Sequence, residues 1–154
     1  MATYRPDPAH GWLAAVRGGV VLMAPATTAP ELMALWPHLV DDDPMPQVLD
    51  RLTARGLAAT PPFALVVRDA DGGSARVVAR GGVTVRVGET AISGAGVSTW
   101  AERVVDAGAS VITVVVDSAA SHVDELPVIE GIVAAGEVTS RPATAESAAA
   151  PTAG

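Results

Sequence analysis

The sequence predicts an α+β fold, with a largely antiparallel sheet of about seven or eight strands and two short helices packed on one face. Short runs rich in valine and other apolar residues recur along the chain and are separated by glycine-rich or aspartate-rich turns. Between residues 28 and 56, apolar residues instead recur at helical spacing. Residues 61–88 read as three consecutive strands, and the rest of the chain is predicted to cover or extend them.

A hairpin of two apolar strands is predicted near the start of the chain. Residues 12–16 and 20–23 flank Arg17-Gly18-Gly19, a sequence suited to a tight turn. Both faces of this hairpin are apolar, so we expect it to lie centrally in the sheet and to be covered on both sides.

Two helices are predicted between residues 28 and 56. Thr28 and Glu31 have the spacing of a capping box, and the first helix ends at Pro37. Asp43 is predicted to cap the second helix, with Pro44 in its first turn. The apolar stripe of the second helix comprises Met45, Val48, Leu49 and Leu52.

The central strands are predicted to form a meander. The first strand is residues 63–68, and residues 69–73 suit a hairpin turn. Arg80-Gly81-Gly82 is predicted to be a second turn, a three-residue loop that places alternate residues on one apolar face. The residues of this face are Ala75, Val77, Ala79, Val83, Val85 and Val87.

Further strands are predicted after the meander. Residues 89–96 suit a weak edge strand, residues 97–105 another strand, and residues 111–116 the strongest strand of the sequence. Residues 126–133 suit either a short helix or a closing strand. We therefore predict a flexible lead-in at 1–10, one α+β domain at 11–137, and a disordered Ala/Ser/Thr/Pro linker tail at 138–154.

Composition excludes several classes of function. The chain has no cysteine, so it has no disulfide framework and no thiolate metal site. Its net charge of −7 argues against binding to nucleic acid or to an anionic membrane. The polar N-terminal sequence MATYRPDPAH lacks a basic-then-apolar signal, and a cytoplasmic location is expected.

Acidic and histidine residues give no catalytic or metal site by pattern. Consecutive side chains diverge, so residues 41–43 (three aspartates) are predicted to be a solvated loop. Asp69-x-Asp71-Gly72 resembles the start of a calcium loop, but Arg80 stands where that loop needs a glutamate. His10, His38 and His122 are far apart in sequence and lie in polar or proline-flanked segments.

One anion-binding hypothesis rests on three arginines. In the predicted meander Arg76 and Arg86 lie opposite each other, with Arg80 at the turn, and such a pair could hold a phosphate or a carboxylate. We favour the alternative, in which acidic side chains elsewhere neutralise them. Trp12, Trp36 and Trp100 are predicted to be buried where sheet and helices meet.

A family resemblance is carried by seven segments: GWLAAVRGGVVLMAP, ALWPHL, VLDRLTARG, PPFALV, RVVARGGVTVRV, STWAERVV and LPVIEGIV. In this order they make residues 11–135 similar to the N-terminal region of forkhead-associated (FHA) domain-containing proteins of high-GC bacteria. The resemblance implies an α+β region, then a linker, then a phosphothreonine-binding FHA domain within a signalling or scaffold assembly. The FHA pattern itself (Gly-Arg, Ser-x-x-His and a later asparagine) is absent here, so no phosphothreonine-binding residue is carried over.

The sequence thus predicts a non-catalytic regulatory or protein-interaction module that binds a protein partner. No catalytic, cofactor-binding or metal-binding residue is predicted. Two alternatives stay open. One is a degenerate enzyme-like fold related to PP2C-type phosphatases or to N-terminal-nucleophile amidohydrolases. The other is a small anion-binding domain that uses the face of Arg76 and Arg86.

Overall fold

The computed structural model describes residues 2–7, 9, 11–69, 73–96, 99–106, 111–117 and 124–141. These residues form ten strands and two α-helices. The strands are β1 (Ala2–Pro6), β2 (Trp12–Arg17), β3 (Val20–Pro25), β4 (Phe63–Arg68), β5 (Ser74–Val87), β6 (Thr90–Gly94), β7 (Ala101–Asp106), β8 (Ile112–Val116), β9 (Leu126–Val128) and β10 (Gly131–Ser140). The helices are α1 (Ala29–Leu35) and α2 (Met45–Leu52), with 3-10 turns at Ala26–Thr28, Trp36–Val40 and Leu57–Ala59.

Six of the strands close into an antiparallel barrel in the order β2-β3-β4-β5-β8-β10. The ring closes because β10 pairs with β2 as well as with β8, for example Gly131 with Val16 and Val138 with Val114. The other four strands extend it: β6 and β7 pair with β5, β1 pairs with β10, and β9 pairs with β1. The predicted α+β fold with an open sheet is therefore wrong, and the fold is a mainly β barrel.

Strand β5 turns a corner of the barrel. Its first half pairs with β4 and β7, and its second half pairs with β6 and β8. Arg80-Gly81-Gly82 lies in the middle of this strand, so the hairpin loop predicted there is wrong. Gly81 has a φ of 76°, and the register with β6 shifts between Gly81 and Thr84. Such an irregularity at glycine bends a strand without ending it.

The predicted apolar face of β5 is confirmed despite the error in topology. All six residues assigned to that face lie in the barrel interior. An unbroken strand keeps the same alternation of side chains as a three-residue loop would, because side chains alternate with a period of two. The error in the turn therefore did not change which residues are buried together.

Strand β10 turns the second corner. Its residues from Gly131 to Ala134 pair with β2, whereas those from Glu137 to Ser140 pair with β8. As a result β5 and β10 each belong to two sheets, and the barrel consists of two sheets that share these two strands. Strands that pass from one sheet to another through a bend are the usual way of making such corners.

The first hairpin is confirmed, with β2 and β3 joined at Gly18 and Gly19. Its two faces are both buried, as predicted. Ala14, Val16 and Met23 point into the barrel, and Ala15 and Leu22 point into the outer apolar cluster. That outer cluster includes Leu32, Leu35, Val48 and Leu52 from the helical segment and Phe63 and Leu65 from β4. The helices therefore cover the outside of the barrel wall at β2, β3 and β4.

The two ends of the predicted domain differ from the expected boundaries. The segment 1–10, expected to be a flexible lead-in, contains β1, which pairs with both β10 and β9. Pro6 is tolerated because it is the last residue of that strand, where the register shifts. Strand β10 extends to Ser140, past residue 137, and residues 142–154 of the predicted tail lie outside the described residues.

The segment 126–133 contains β9 and the start of β10, so the closing strand is the correct one of the two predicted alternatives. Within the described part of the chain, no helix has the length and apolar character required to cross a membrane.

Candidate functional site

The candidate site is a groove of about 800 Å³ on the helical layer, between α1 and α2. Eight of its lining residues are polar or charged, namely Thr27, Thr28, Glu31, His38, Gln47, Asp50, Arg51 and Arg55. Its apolar part consists of Leu35, Leu52, Ala54, Ala59 and Pro61. Leu35 and Leu52 are buried and belong to the outer apolar cluster, so they form a floor that is fixed to the barrel.

The groove exists because both helices turn their apolar stripes toward the barrel. Leu32 and Leu35 of α1 and Met45, Val48 and Leu52 of α2 are buried. The charged residues of each helix are thereby left on the opposite side, as is usual for amphipathic surface helices. The buried stripe of the second helix matches the predicted positions, except that Leu49 is only partly buried.

The helix starts differ from the predicted caps. Thr28 stands at the start of α1, but its hydroxyl donates to the Pro25 carbonyl and makes no cap hydrogen bond to the helix. The predicted capping box is therefore not formed, and Glu31 lines the groove instead. At the second helix the N-cap residue is Pro44 and not Asp43.

A hydrogen-bonded bridge through Asp41 joins two residues that line the groove, His38 and Gln47. The Asp41 Oδ2 atom lies 3.1 Å from His38 Nδ1 and accepts a hydrogen bond of 3.0 Å from Gln47 Nε2. The bridge joins the 3-10 turn that follows α1 to the first turn of α2.

Charges of both signs line the groove without being paired. The side chains of Glu31, Asp50, Arg51 and Arg55 make no hydrogen bond or ion pair with any residue that the structure describes. Asp50, Arg51 and Arg55 are exposed and Glu31 is half-buried, so all four are accessible to a ligand. The arrangement can bind a ligand that carries both positive and negative groups and has an apolar portion to cover Leu35 and Leu52.

The arginines of the anion-binding hypothesis are not brought together. Arg76 and Arg86 lie ten residues apart on one strand, a separation of up to about 33 Å at the usual rise. Arg76 pairs with Val67 and Val104 in its two neighbouring strands, and Arg86 pairs with Ala91 and Thr113. Arg76, Arg80 and Arg86 therefore lie in three separate environments.

Arg76 forms an ion pair with Asp43 in the loop before α2. The hydrogen bond from Arg76 lowers the pKa of the Asp43 carboxyl, with a smaller contribution from the Met45 backbone N–H. The same hydrogen bond raises the pKa of Arg76. This agrees with the alternative that we favoured, in which an acidic side chain neutralises the arginine.

Arg80 has a structural role. Its guanidinium donates to the carbonyl oxygens of Thr60, Leu57 and Thr99. These contacts fasten two segments to the corner of β5, the one between α2 and β4 and the residues just before β7. Arg86, by contrast, is exposed and makes no ion pair with the described residues.

The acidic and histidine residues considered as candidate site residues have different contacts in the structure. Asp41 bridges the groove, Asp43 binds Arg76, and Asp42 is exposed. Asp69 accepts a hydrogen bond from Ser74. Asp71, His10 and His122 lie outside the described residues. Among the residues that are described, no three His, Asp or Glu side chains are grouped closely enough to hold a metal ion.

Each of the three tryptophans is only half-buried, and Trp36 and Trp100, but not Trp12, lie where sheet and helices meet. Trp12 packs against the barrel interior, whereas Trp36 and Trp100 pack against the outer cluster. The Arg17 guanidinium lies 4.8 Å from the centre of the Trp36 ring and donates to the Trp36 carbonyl oxygen at 2.8 Å. Trp100 donates to Glu102 at 3.3 Å.

The groove itself was not predicted from the sequence. Its charged residues were visible only as positions outside the apolar stripes, such as Asp50, Arg51 and Arg55. The signal that could have indicated it is the presence of unpaired charges of both signs on the outer sides of two neighbouring amphipathic helices.

Comparisons with models of protein families, with curated proteins and with solved structures found no match for this chain. The resemblance to the N-terminal region of FHA domain-containing proteins is not tested by these comparisons and stays a prediction. The predicted signalling role has no support from them, and the α+β description attached to it is corrected by the barrel.

Proposed function

We propose that this domain is a non-catalytic protein-interaction module whose groove between α1 and α2 binds a short peptide segment of a partner protein. The observation that carries the proposal is the set of four unpaired charges, Glu31, Asp50, Arg51 and Arg55, around an apolar floor. Peptide side chains can supply both signs of charge together with an apolar residue.

The lining of the groove favours a peptide over a small organic ligand. Pockets for small molecules are mostly apolar, with a few polar groups that orient the ligand. In this groove polar and charged residues outnumber the apolar ones, eight to five. Several of the charged side chains are exposed, as in the polar parts of a protein–protein interface.

The alternatives have less support. An anion site shared by Arg76 and Arg86 would need the two guanidinium groups on one small ligand, and they lie at opposite ends of β5. An enzyme would need converging reactive groups. Around the groove, the one described histidine is hydrogen-bonded within the Asp41 bridge. A cytoplasmic location is part of our proposal.

Selection of peptides on the purified domain tests the proposal. Peptides from a random display library would be selected on the wild-type chain and measured against the double variant R51E/R55E. We expect the selected peptides to lose at least about tenfold in affinity, because reversing two charges replaces attraction by repulsion.

The matched control is R86E, which reverses one exposed arginine outside the groove. Peptides that bind in the groove should bind R86E as they bind the wild type. If the peptides bind R51E/R55E as tightly as the wild type while the variant retains its thermal stability, the groove is not the binding site.

A further inference from the structure

Among the described residues, strand β7 has an open edge on the side away from β5. It pairs on one side with β5, from Ala79 opposite Ala101 to Ser74 opposite Asp106. No strand among the described residues pairs with its other side. Backbone N–H and C=O groups along such an edge are free to pair with another extended segment.

The two faces of β7 differ in chemistry. Ala101 and Val105 pack against the barrel interior. Glu102, Val104 and Asp106 alternate with them and face outward. Val104 is 69% exposed, an unusual position for a large apolar side chain in the middle of a strand. The outward face is thus an apolar side chain flanked by two carboxylates.

We propose that the β7 edge accepts an extended segment of a partner protein as an added antiparallel strand. That segment would place an apolar residue opposite Val104 and basic residues opposite Glu102 and Asp106. Main-chain hydrogen bonds would provide affinity, and the alternating side chains would provide specificity. Opposite charges directly across a strand pair stabilise it. This surface is separate from the groove, whose lining includes no residue of β7.

Charge argues against a second copy of this chain as the occupant. Directly opposite residues in an antiparallel pair share a face, so two β7 strands related by a two-fold axis pair only residues of the same parity. Two registers of this kind each pair five of the six residues of β7 with the second copy. In one, Arg103 lies opposite the partner's Arg103, and in the other Glu102 lies opposite the partner's Asp106. Like charges in these positions are destabilising.

The chain itself also lacks a suitable segment. All ten basic residues of the sequence are arginines, and each lies among the described residues. The segments outside them therefore supply no arginine or lysine to place opposite Glu102 or Asp106. The charge pattern of β7 points to a different protein.

A pair of synthetic peptides tests the proposal. The first, labelled with fluorescein, has the sequence Thr-Lys-Val-Val-Glu-Lys-Thr, which in antiparallel register puts lysines opposite Glu102 and Asp106 and valine opposite Val104. The second exchanges the charges, Thr-Glu-Val-Val-Lys-Glu-Thr. Fluorescence polarisation at low salt should show that the wild-type chain binds the first peptide at least about tenfold more tightly than the second.

The charge-reversed variant E102K/D106K should exchange this preference and bind the second peptide. Both substitutions fall on exposed residues, and an unchanged melting temperature would show that the variant is folded. If the wild type binds both peptides equally or neither of them, or if the variant keeps the wild-type preference, the proposal is overturned.

Two further measurements separate this surface from the others. Bound first peptide should slow hydrogen exchange within Ala101–Asp106, and R51E/R55E should bind it as the wild type does, whatever the groove binds. Sedimentation velocity without peptide should show a monomer. A dimer that disappears in E102K/D106K would show a second copy of the chain at β7 and would overturn the proposal.

Discussion

Gly81, at the corner of β5, lies directly against Pro62, the residue before β4. A Cβ atom added to Gly81 would lie 2.6 Å from the Pro62 Cβ, and the Gly81 φ of 76° is one that other residues rarely adopt. The corner therefore has two separate requirements for glycine, one of space and one of backbone conformation.

The first prediction concerns this corner. G81A should lower the free energy of unfolding by about 2 to 4 kcal/mol, from the cost of a left-handed alanine and from overpacking against Pro62. Urea denaturation measures it. The matched control is G82A, because a Cβ on the neighbouring Gly82 meets nothing within 4 Å. Equal effects of the two substitutions would contradict the assigned role of Gly81.

The second prediction concerns the Asp43–Arg76 ion pair and pH. The pair lowers the pKa of Asp43 below its ordinary 3.8. Its stabilisation is therefore present above pH 3.8 and is lost as the pH falls through the lower pKa of the folded state. D43N should have a lower urea midpoint than the wild type at pH 7, and the difference should vanish in strong acid.

The control for this pair is D42N. Asp42 is exposed, and no hydrogen bond or ion pair joins it to the described residues. Its substitution should leave the urea midpoint of the wild type at pH 7 unchanged. A difference between D43N and the wild type that persists at the lowest pH would show that the Asp43 carboxylate acts through something other than its charge.

The third prediction concerns Arg17. Its guanidinium stacks on Trp36 and donates to the Trp36 carbonyl oxygen, which a lysine cannot reproduce with the same planar geometry. R17K should destabilise the protein by about 1 to 2 kcal/mol and alter tryptophan fluorescence. E130Q should have little effect, because Glu130 is half exposed and its carboxylate is 4.0 Å from Arg17 Nε. A larger loss of unfolding free energy in E130Q than in R17K would show that the ion pair with Glu130, and not the contact with Trp36, is the main role of Arg17.

The fourth prediction concerns the attachment of the helices. Phe63 of β4 is fully buried in the outer apolar cluster, between the barrel wall and the helical layer. F63A should cost about 3 to 5 kcal/mol, as large truncations in a packed core do. V104A, at the exposed Val104, is the control and should change the free energy of unfolding by less than about 0.5 kcal/mol. A small effect of F63A would mean that the helices are held elsewhere.

The sequence predicted which side chains of β5 are buried, but not the path of the strand. Valine alternation assigned Val77 and Val85 to one side whether residues 80–82 turn or bend, since both paths keep the same parity. Arg-Gly-Gly occurs twice, as a turn at residues 17–19 and as a bend at residues 80–82. Local chemistry is the same in both, so the difference comes from the partner strands.

Closure of the barrel could not be predicted from local sequence either, because it too depends on which strands pair. It depends on the pairing of β10 with β2, whose residues lie more than a hundred positions apart. Prediction of the site failed for a similar reason, because its contacts join residues that are distant in sequence. Asp43 has the local pattern of a helix cap, yet its carboxylate pairs with Arg76 of β5. The helical stripes were predicted because their spacing is local, whereas the groove depends on how the two helices lie together.

Because β5 and β10 belong to both sheets, the two sheets are coupled during unfolding. Neither sheet can separate from the other unless β5 and β10 both lose their partner strands on one side of the bend. The barrel should accordingly unfold as one cooperative unit, with calorimetric and van't Hoff enthalpies that agree.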